Sequence, residues 1–216
     1  MIKDEAILHY LEKEYPSAHC ALHFTNDYEC LVAILLSAQT TDRSVNKVTP
    51  ILFSHYPDFL SLSQASVEDI EKDIHSLGLY HNKALSLQKL ARFVVFSLNN
   101  NLPEDRESLT KLPGVGIKTA GVFLLERRNF QAIPVDTHVG RIGTRLGFCL
   151  ESDSVNEKEK KIERHFPKEK WNYLHHALIE FGRDRCKAKT PGCEGCKIKG
   201  YCSYFKKNSS IKGKKS

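Results

Sequence analysis

The stretch LPGVGIKTAG, residues 112–121, constrains the fold more tightly than any other in this chain. It sets Pro113, Gly114 and Gly116 between two segments with helical patterning. Upstream, DRESLTKL at residues 105–112 begins with an aspartate placed to cap a short helix; downstream, IKTAGVFLLERR at residues 117–128 has the apolar spacing of a second. Only PGVG is left to turn the chain, so the two helices meet in a tight hairpin. A helix that starts directly after a glycine presents its first N–H groups outward, which suits a phosphate. A plain packing corner uses the same residues, so the stretch alone leaves both readings open. Glycines two apart with no strand before them exclude a nucleotide loop of the G-x-x-x-x-G-K type.

The rest of the chain repeats the helical signal. Asn26 or Asp27 can cap a helix through CLVAILLSA, whose apolar face is wide enough to lie inside a core. Asp42 can cap the next, with Val45 and Val48 on one side. Ser66 and Asp69 have capping-box spacing ahead of the stripe Ile70, Ile74 and Leu77, and Gly78 is a natural stop. Leu87, Leu90, Ala91 and Val94 form a further stripe within residues 83–96. Val139, Ile142 and Leu146 form another, and Trp171, Leu174, Leu178 and Phe181 follow Pro167. No β-hairpin signal or sustained alternation competes, which predicts an all-α protein with short connections and no solenoid repeat.

Charge is uneven. The net +6 divides into +8 within residues 186–216 and −2 over the 185 residues before them. Such a basic end is a solvated tail or an aid to holding a polyanion. The start, MIKDEAILHY, lacks a signal-peptide apolar core, and the longest apolar run, CLVAILL, is too short to cross a membrane. A cytoplasmic location without membrane attachment is expected.

Two constellations carry chemistry. A lysine acts as a nucleophile only when its amine has given up its proton, so Lys118 needs an acceptor for that role and is otherwise a phosphate contact or a solvent-facing residue. Asp136, in AIPVDTHVGRIG, is a candidate acceptor or simply a helix cap. A helix over residues 118–127 advances about 14 Å. The following residues reach about 26 Å when extended, enough to bring Asp136 back beside Lys118. Cys186, Cys193, Cys196 and Cys202 have the spacing C-x6-C-x2-C-x5-C, which can surround one metal centre; zinc, a four-iron cluster and two disulfides all remain open on spacing alone. Cys20, Cys30 and Cys149 read as core thiols.

With these residues in view, the chain resembles the endonuclease III family of DNA glycosylase/AP lyases. The resemblance runs through LLSAQTTDRSVNK (35–47), GLYHNKA (78–84), LPGVGIKTAG and PVDTHVGR (134–141). It continues through HHALIEFGRDRC (175–186) and the four-cysteine loop, covering most of residues 25–202 in order.

The resemblance implies two helical domains with a DNA-facing cleft: a central one at 25–132, carrying a helix–hairpin–helix at about 105–129, and a discontinuous one from 1–24 plus 133–202. A basic flexible tail at 203–216 would follow. It implies a [4Fe-4S] cluster on Cys186, Cys193, Cys196 and Cys202 in a loop at 186–202. It makes Lys118 the nucleophile and Asp136 the essential carboxylate of an enzyme that flips an oxidised or ring-damaged pyrimidine out of duplex DNA. The DNA contacts would be Gln39 in the vacated gap, Leu79 as a wedge beside the orphan base, the hairpin glycines Gly114 and Gly116, and His138 beside Asp136. The expected partner is double-stranded DNA with damaged pyrimidines or abasic sites, bound by a monomer. Apart from the resemblance, Gln39 reads equally as a capping glutamine, Leu79 as a core leucine, and His138 as a local hydrogen-bonding group; His175 and His176 read as structural.

Two departures stand out. The family often has a basic residue at the position of Ile117 and an asparagine at that of Gly121, which puts breadth of substrate and rate in question more than reaction class. The alternatives are an adenine-type glycosylase of the same superfamily, which generally lacks the lysine, and a noncatalytic DNA-binding protein, which has no need of the pair Lys118 and Asp136.

Overall fold

Caps and apolar stripes like these leave little for strands to do. The computed structural model of the protein describes residues 3–212, and no strand occurs among the described residues. The first helices are α1 (Lys3–Glu14), α2 (Asp27–Leu36), α3 (Asp42–His55) and α4 (Phe59–Gln64). Next come α5 (Val67–Ile74), α6 (Tyr80–Leu98), α7 (Arg106–Leu109) and α8 (Ile117–Arg127). The series ends with α9 (Thr137–Leu146), α10 (Val155–Glu163), α11 (Trp171–Asp184) and α12 (Ser203–Lys212). Short 3-10 turns lie at Lys168–Lys170 and Lys199–Tyr201. No helix among the described residues is long and apolar enough to cross a membrane. The chain divides into two compact units, Cys20–Phe130 and the combination of Met1–His19 with Gln131–Ser216.

The unit Cys20–Phe130 is built around α2. Leu31, Val32, Ala33 and Leu36 have no exposed surface, and each full burial of a leucine or valine is worth about 1.5–3 kcal/mol. Asn26 caps α2 by accepting from the Glu29 N–H at 2.9 Å. At α3 the cap is Thr41, one residue before the expected Asp42, which instead lies in the first turn where a carboxylate meets the positive end of the helix dipole. Ser66 caps α5 as its spacing suggests, and Leu87, Leu90, Ala91 and Val94 of α6 are buried.

α8 packs on α2 through fully buried Phe123 and through an ion-pair triad. Arg127 Nε and Arg128 Nη2 each donate to a different Asp27 carboxylate oxygen at 2.6 Å. Partial burial pushes the Asp27 carboxyl upward, but the two guanidiniums outweigh it and hold the group below its usual range. Asp27 opens α2 and Arg127 closes α8, so each charge also sits at the favourable end of its own helix. This anchorage fixes the helix that carries Lys118.

The unit of Met1–His19 with Gln131–Ser216 packs α9 against α11, with α1, α10 and α12 around them. Val139 and Ile142 are fully buried on α9, and Leu174, Leu178 and Phe181 nearly so on α11. Gly143 permits the close approach of α9 to α10: a Cβ there would stand 2.6 Å from Ile162 Cδ1. His175 and His176 are buried, their rings stacked edge to face at 4.9 Å. Residues 203–212, within the stretch expected as a tail, form α12, whose Tyr204 ring lies 4.7 Å from the Arg145 guanidinium. The last part of that expected tail, 213–216, lies outside the described residues.

Candidate functional site

The hairpin forms as its sequence dictates. Asp105 caps α7 by accepting from the Ser108 N–H at 2.8 Å, and Val115 N–H donates back to Leu112 across the turn at 3.1 Å. Gly114 has φ of +78°, a left-handed conformation that disfavours any side chain. Gly116 is different. Its φ of −89° suits any residue and a Cβ there would meet nothing within 4 Å, so the protein itself does not require a glycine and the space beside this backbone is open. Gly116 serves as the N-cap of α8 without a side chain to satisfy the first N–H groups. Lys118 is exposed in this first turn, next to Ile117, which is 45% exposed.

Gln39 and Leu79 share an unusual trait. Neither is glycine, yet their φ values are +53° and +60°. A side chain in that region costs roughly 1–2 kcal/mol, a strain that must be offset by neighbouring structure. Gln39 is exposed in the turn after α2, and Leu79, 54% exposed, stands at the start of α6 instead of entering the core. Both line a cavity of about 180 Å3 whose wall also includes Lys83, Gly114 and Thr119. Lys83 was not singled out from the sequence; its burial depends on a contact 43 residues away, which local patterning does not reveal.

Asp136 is the N-cap of α9. One carboxylate oxygen accepts from the N–H groups of His138 and Val139, both at 2.8 Å, and the other lies 3.3 Å from His138 Nδ1. With its side chain only 8% exposed, the carboxylate is oriented by three polar contacts. His138 therefore stands with Asp136, while Gln39, Leu79 and Gly114 stand together around the cavity of the other unit.

The cysteine loop requires a correction. Among the described residues no group of three or more His, Cys, Asp or Glu is arranged to hold a metal ion, which overturns the expected [4Fe-4S] cluster on Cys186, Cys193, Cys196 and Cys202. The four residues line one small pocket with Arg145 and Arg185, and two of their sulfurs have hydrogen-bond partners. Cys202 Sγ donates to the Arg145 carbonyl at 3.2 Å, and Arg145 Nη1 donates to Cys186 Sγ at 3.4 Å. Burial first, with neighbouring cysteines adding to it, pushes the thiols of Cys193 and Cys196 up. Spacing counted the cysteines; it did not reveal that Arg145 of α9 would meet two of their sulfurs, Cys186 through its guanidinium and Cys202 through its carbonyl. Cys30 and Cys149 are buried thiols as expected, and Cys20 is half-buried.

A hairpin with an uncapped second helix, inside an all-α chain, defines a class that other proteins share. The family pattern described as HhH-GPD superfamily base excision DNA repair protein matches residues 32–168. The chain belongs to the endonuclease III family of these DNA glycosylase/AP lyases. It is 46% identical over 191 residues to the endonuclease III of Bacillus subtilis (strain 168), covering 87% of this chain and 86% of that one. It is 39% identical over 197 residues to that of Synechocystis sp., covering 91% and 90%. A solved structure described as a trapped endonuclease III-DNA covalent intermediate, an estranged-adenine complex, superposes with a TM-score of 0.89. The two are 44% identical, with 97% of this chain and 100% of that one covered.

Proposed function

We propose that this chain excises oxidised or ring-damaged pyrimidines from duplex DNA and then cuts the strand at the resulting abasic site. One observation carries the reading: Lys118 is exposed in the first turn of α8, where no side chain caps the helix and open space adjoins Gly116. The family's solved relative caught as a covalent intermediate with DNA supports a covalent route.

The lesion is flipped out of the stack, at a cost of a few kcal/mol that a damaged base lowers. Lys118 Nζ then attacks C1′ as the C1′–N bond to the base breaks, and the base leaves with the bonding pair and takes up a proton. Opening of the sugar ring transfers electrons to O4′ and leaves an imine between C1′ and Lys118. Loss of a proton from C2′ pushes out the 3′ phosphate, cutting the strand, and water returns the free amine. Asp136 stabilises positive charge developing on the sugar; its fixed orientation means no reorganisation is needed as that charge appears. His138 keeps the second carboxylate oxygen oriented. Gln39 takes the vacated gap, Leu79 separates the neighbouring bases, and the Gly114–Gly116 turn lets backbone phosphate approach the first N–H groups of α8. We further propose that the protein works as a cytoplasmic monomer.

Borohydride trapping tests this. Reduction during reaction with a duplex containing an oxidised pyrimidine should freeze the imine as a stable protein–DNA adduct, and Lys118→Ala should form none. An adduct that persists undiminished in Lys118→Ala would assign the nucleophile elsewhere.

A further inference from the structure

Lys83 is out of place for a lysine. It lies in the first turn of α6 and is 8% exposed; its ammonium donates to the Thr40 hydroxyl and forms no ion pair among the described residues. An ammonium taken out of water without a counter-charge is costly, and an apolar residue of similar length would avoid that cost. Burial accordingly pushes its pKa below the ordinary lysine value. Stability therefore does not explain the charge; its contacts suggest what does. The Lys83 backbone N–H donates to the Leu79 carbonyl at 3.0 Å, the helical bond that any residue here would make and that seats Lys83 directly above Leu79, and the Thr40 reached by its side chain closes the turn around Gln39, with Thr40 N–H donating to the Ser37 carbonyl at 3.1 Å. The Lys83 side chain thus links the start of α6, which Leu79 opens, to the turn around Gln39, and all three residues line one cavity.

We propose that Lys83 is a positioning residue for the opened duplex, tying the Gln39 turn, through Thr40, to the Leu79 turn at the start of α6. The inference rests on the roles of Gln39 and Leu79 given above. The strain at each turn explains the need: a left-handed side chain relaxes to a commoner conformation unless something holds it.

The test is an equilibrium titration of the full chain on two duplexes of one sequence, one intact and one carrying a stable abasic analogue. Lys83→Met keeps the stem and removes the donor; Thr40→Val removes the acceptor. Each should weaken binding to the abasic duplex by about tenfold, the equivalent of one charge-assisted hydrogen bond. Binding to intact duplex, held by phosphate contacts, should change less than twofold. Combining Lys83→Met with Gln39→Ala should add little to Gln39→Ala alone, because both act through one turn. In cleavage, the loss should fall on the half-saturating enzyme concentration rather than on the saturated rate. The melting temperature of Lys83→Met should hold or rise, since a buried charge has gone. Equal loss on both duplexes, full additivity with Gln39→Ala, or unchanged abasic binding by Lys83→Met beside a weakened Gln39→Ala would overturn the proposal. Unchanged abasic binding by Gln39→Ala would instead remove the reading of Gln39, and this inference with it. Should Lys83→Met fail to fold, Thr40→Val decides by the same criteria.

Discussion

The turns at Gln39 and Leu79 and the start of α9 at Asp136 solve opposite problems. Gln39 and Leu79 are held in left-handed backbone with their side chains toward solvent, so local structure works against its own preference to present them. Asp136 has every local preference satisfied: it caps its helix, accepts from two N–H groups and lies beside His138. A residue that must enter another molecule has to be pushed outward, and strain of roughly 1–3 kcal/mol at such positions is offset by the surrounding fold. A residue that must meet a developing charge has to be still, and hydrogen bonds to the backbone keep it so. If Gln39, Leu79 and Asp136 act as proposed, recognition is placed where the fold is under tension and charge stabilisation where it is relaxed.

That contrast can be broken at either end. The largest expected effect is at the relaxed site. Asp136→Asn keeps an oxygen for the N–H groups of His138 and Val139, so its stability should change by about 1 kcal/mol or less. Single-turnover cleavage should nevertheless fall by about a hundredfold or more, since a charge aimed at the transition state is lost. Parallel thermal melts and cleavage rates would show it; a variant that unfolds as readily as it loses activity would make Asp136 a cap alone.

An intermediate effect lies in the triad that anchors α8. Asp27→Asn should destabilise the unit Cys20–Phe130 by about 2 kcal/mol at neutral pH, because two guanidiniums lose a charged partner. The sign with pH follows from the lowered folded-state pKa. The Asp27 carboxylate contributes stability above the ordinary aspartate pKa of about 4, and that contribution is lost as pH falls through the lower folded value. Denaturant melts of both proteins should therefore differ at pH 7 and draw together as pH falls below about 4. A gap that persists undiminished at low pH would mean that packing, not charge, holds α8 to α2.

The smallest effect belongs to the strained turn. Gln39→Gly frees the left-handed residue from its steric cost and should leave the fold unchanged or raise its stability by up to about 1 kcal/mol. The same variant should bind a duplex with a stable abasic analogue less tightly than the parent. Destabilisation by Gln39→Gly would show that the turn is not under strain and erase the contrast.

Much of the fold was readable because its signals are local. The caps at Asn26 and Ser66, the buried faces of α2, α6, α9 and α11, and the PGVG hairpin all follow from residues three or four apart. For the candidate site the sequence supplied residue types, yet not their arrangement. Positive φ at Gln39 and Leu79 runs against the preference of both residues, and only tertiary context enforces it. Lys83 reaches Thr40 across 43 residues, and Asp27 meets Arg127 and Arg128 about 100 residues away, beyond any periodicity. The cysteine spacing misled for the same reason. It fixes how many sulfurs lie nearby, but Arg145, the partner of Cys186 and Cys202, comes from α9.

The proposed chemistry stands on Lys118, and the most direct measurement separates what that residue binds from what it does. Single-turnover cleavage at saturating enzyme is set beside an equilibrium binding titration on one lesion duplex, for the parent and for Lys118→Gln. An amide cannot form the imine, so the variant should bind within about threefold of the parent, as the N–H groups of α8 remain, while cleavage falls by at least about a thousandfold. Cleavage by Lys118→Gln at the parental rate would show that the nucleophile lies elsewhere; cleavage lost only in proportion to lost binding would make Lys118 a phosphate contact.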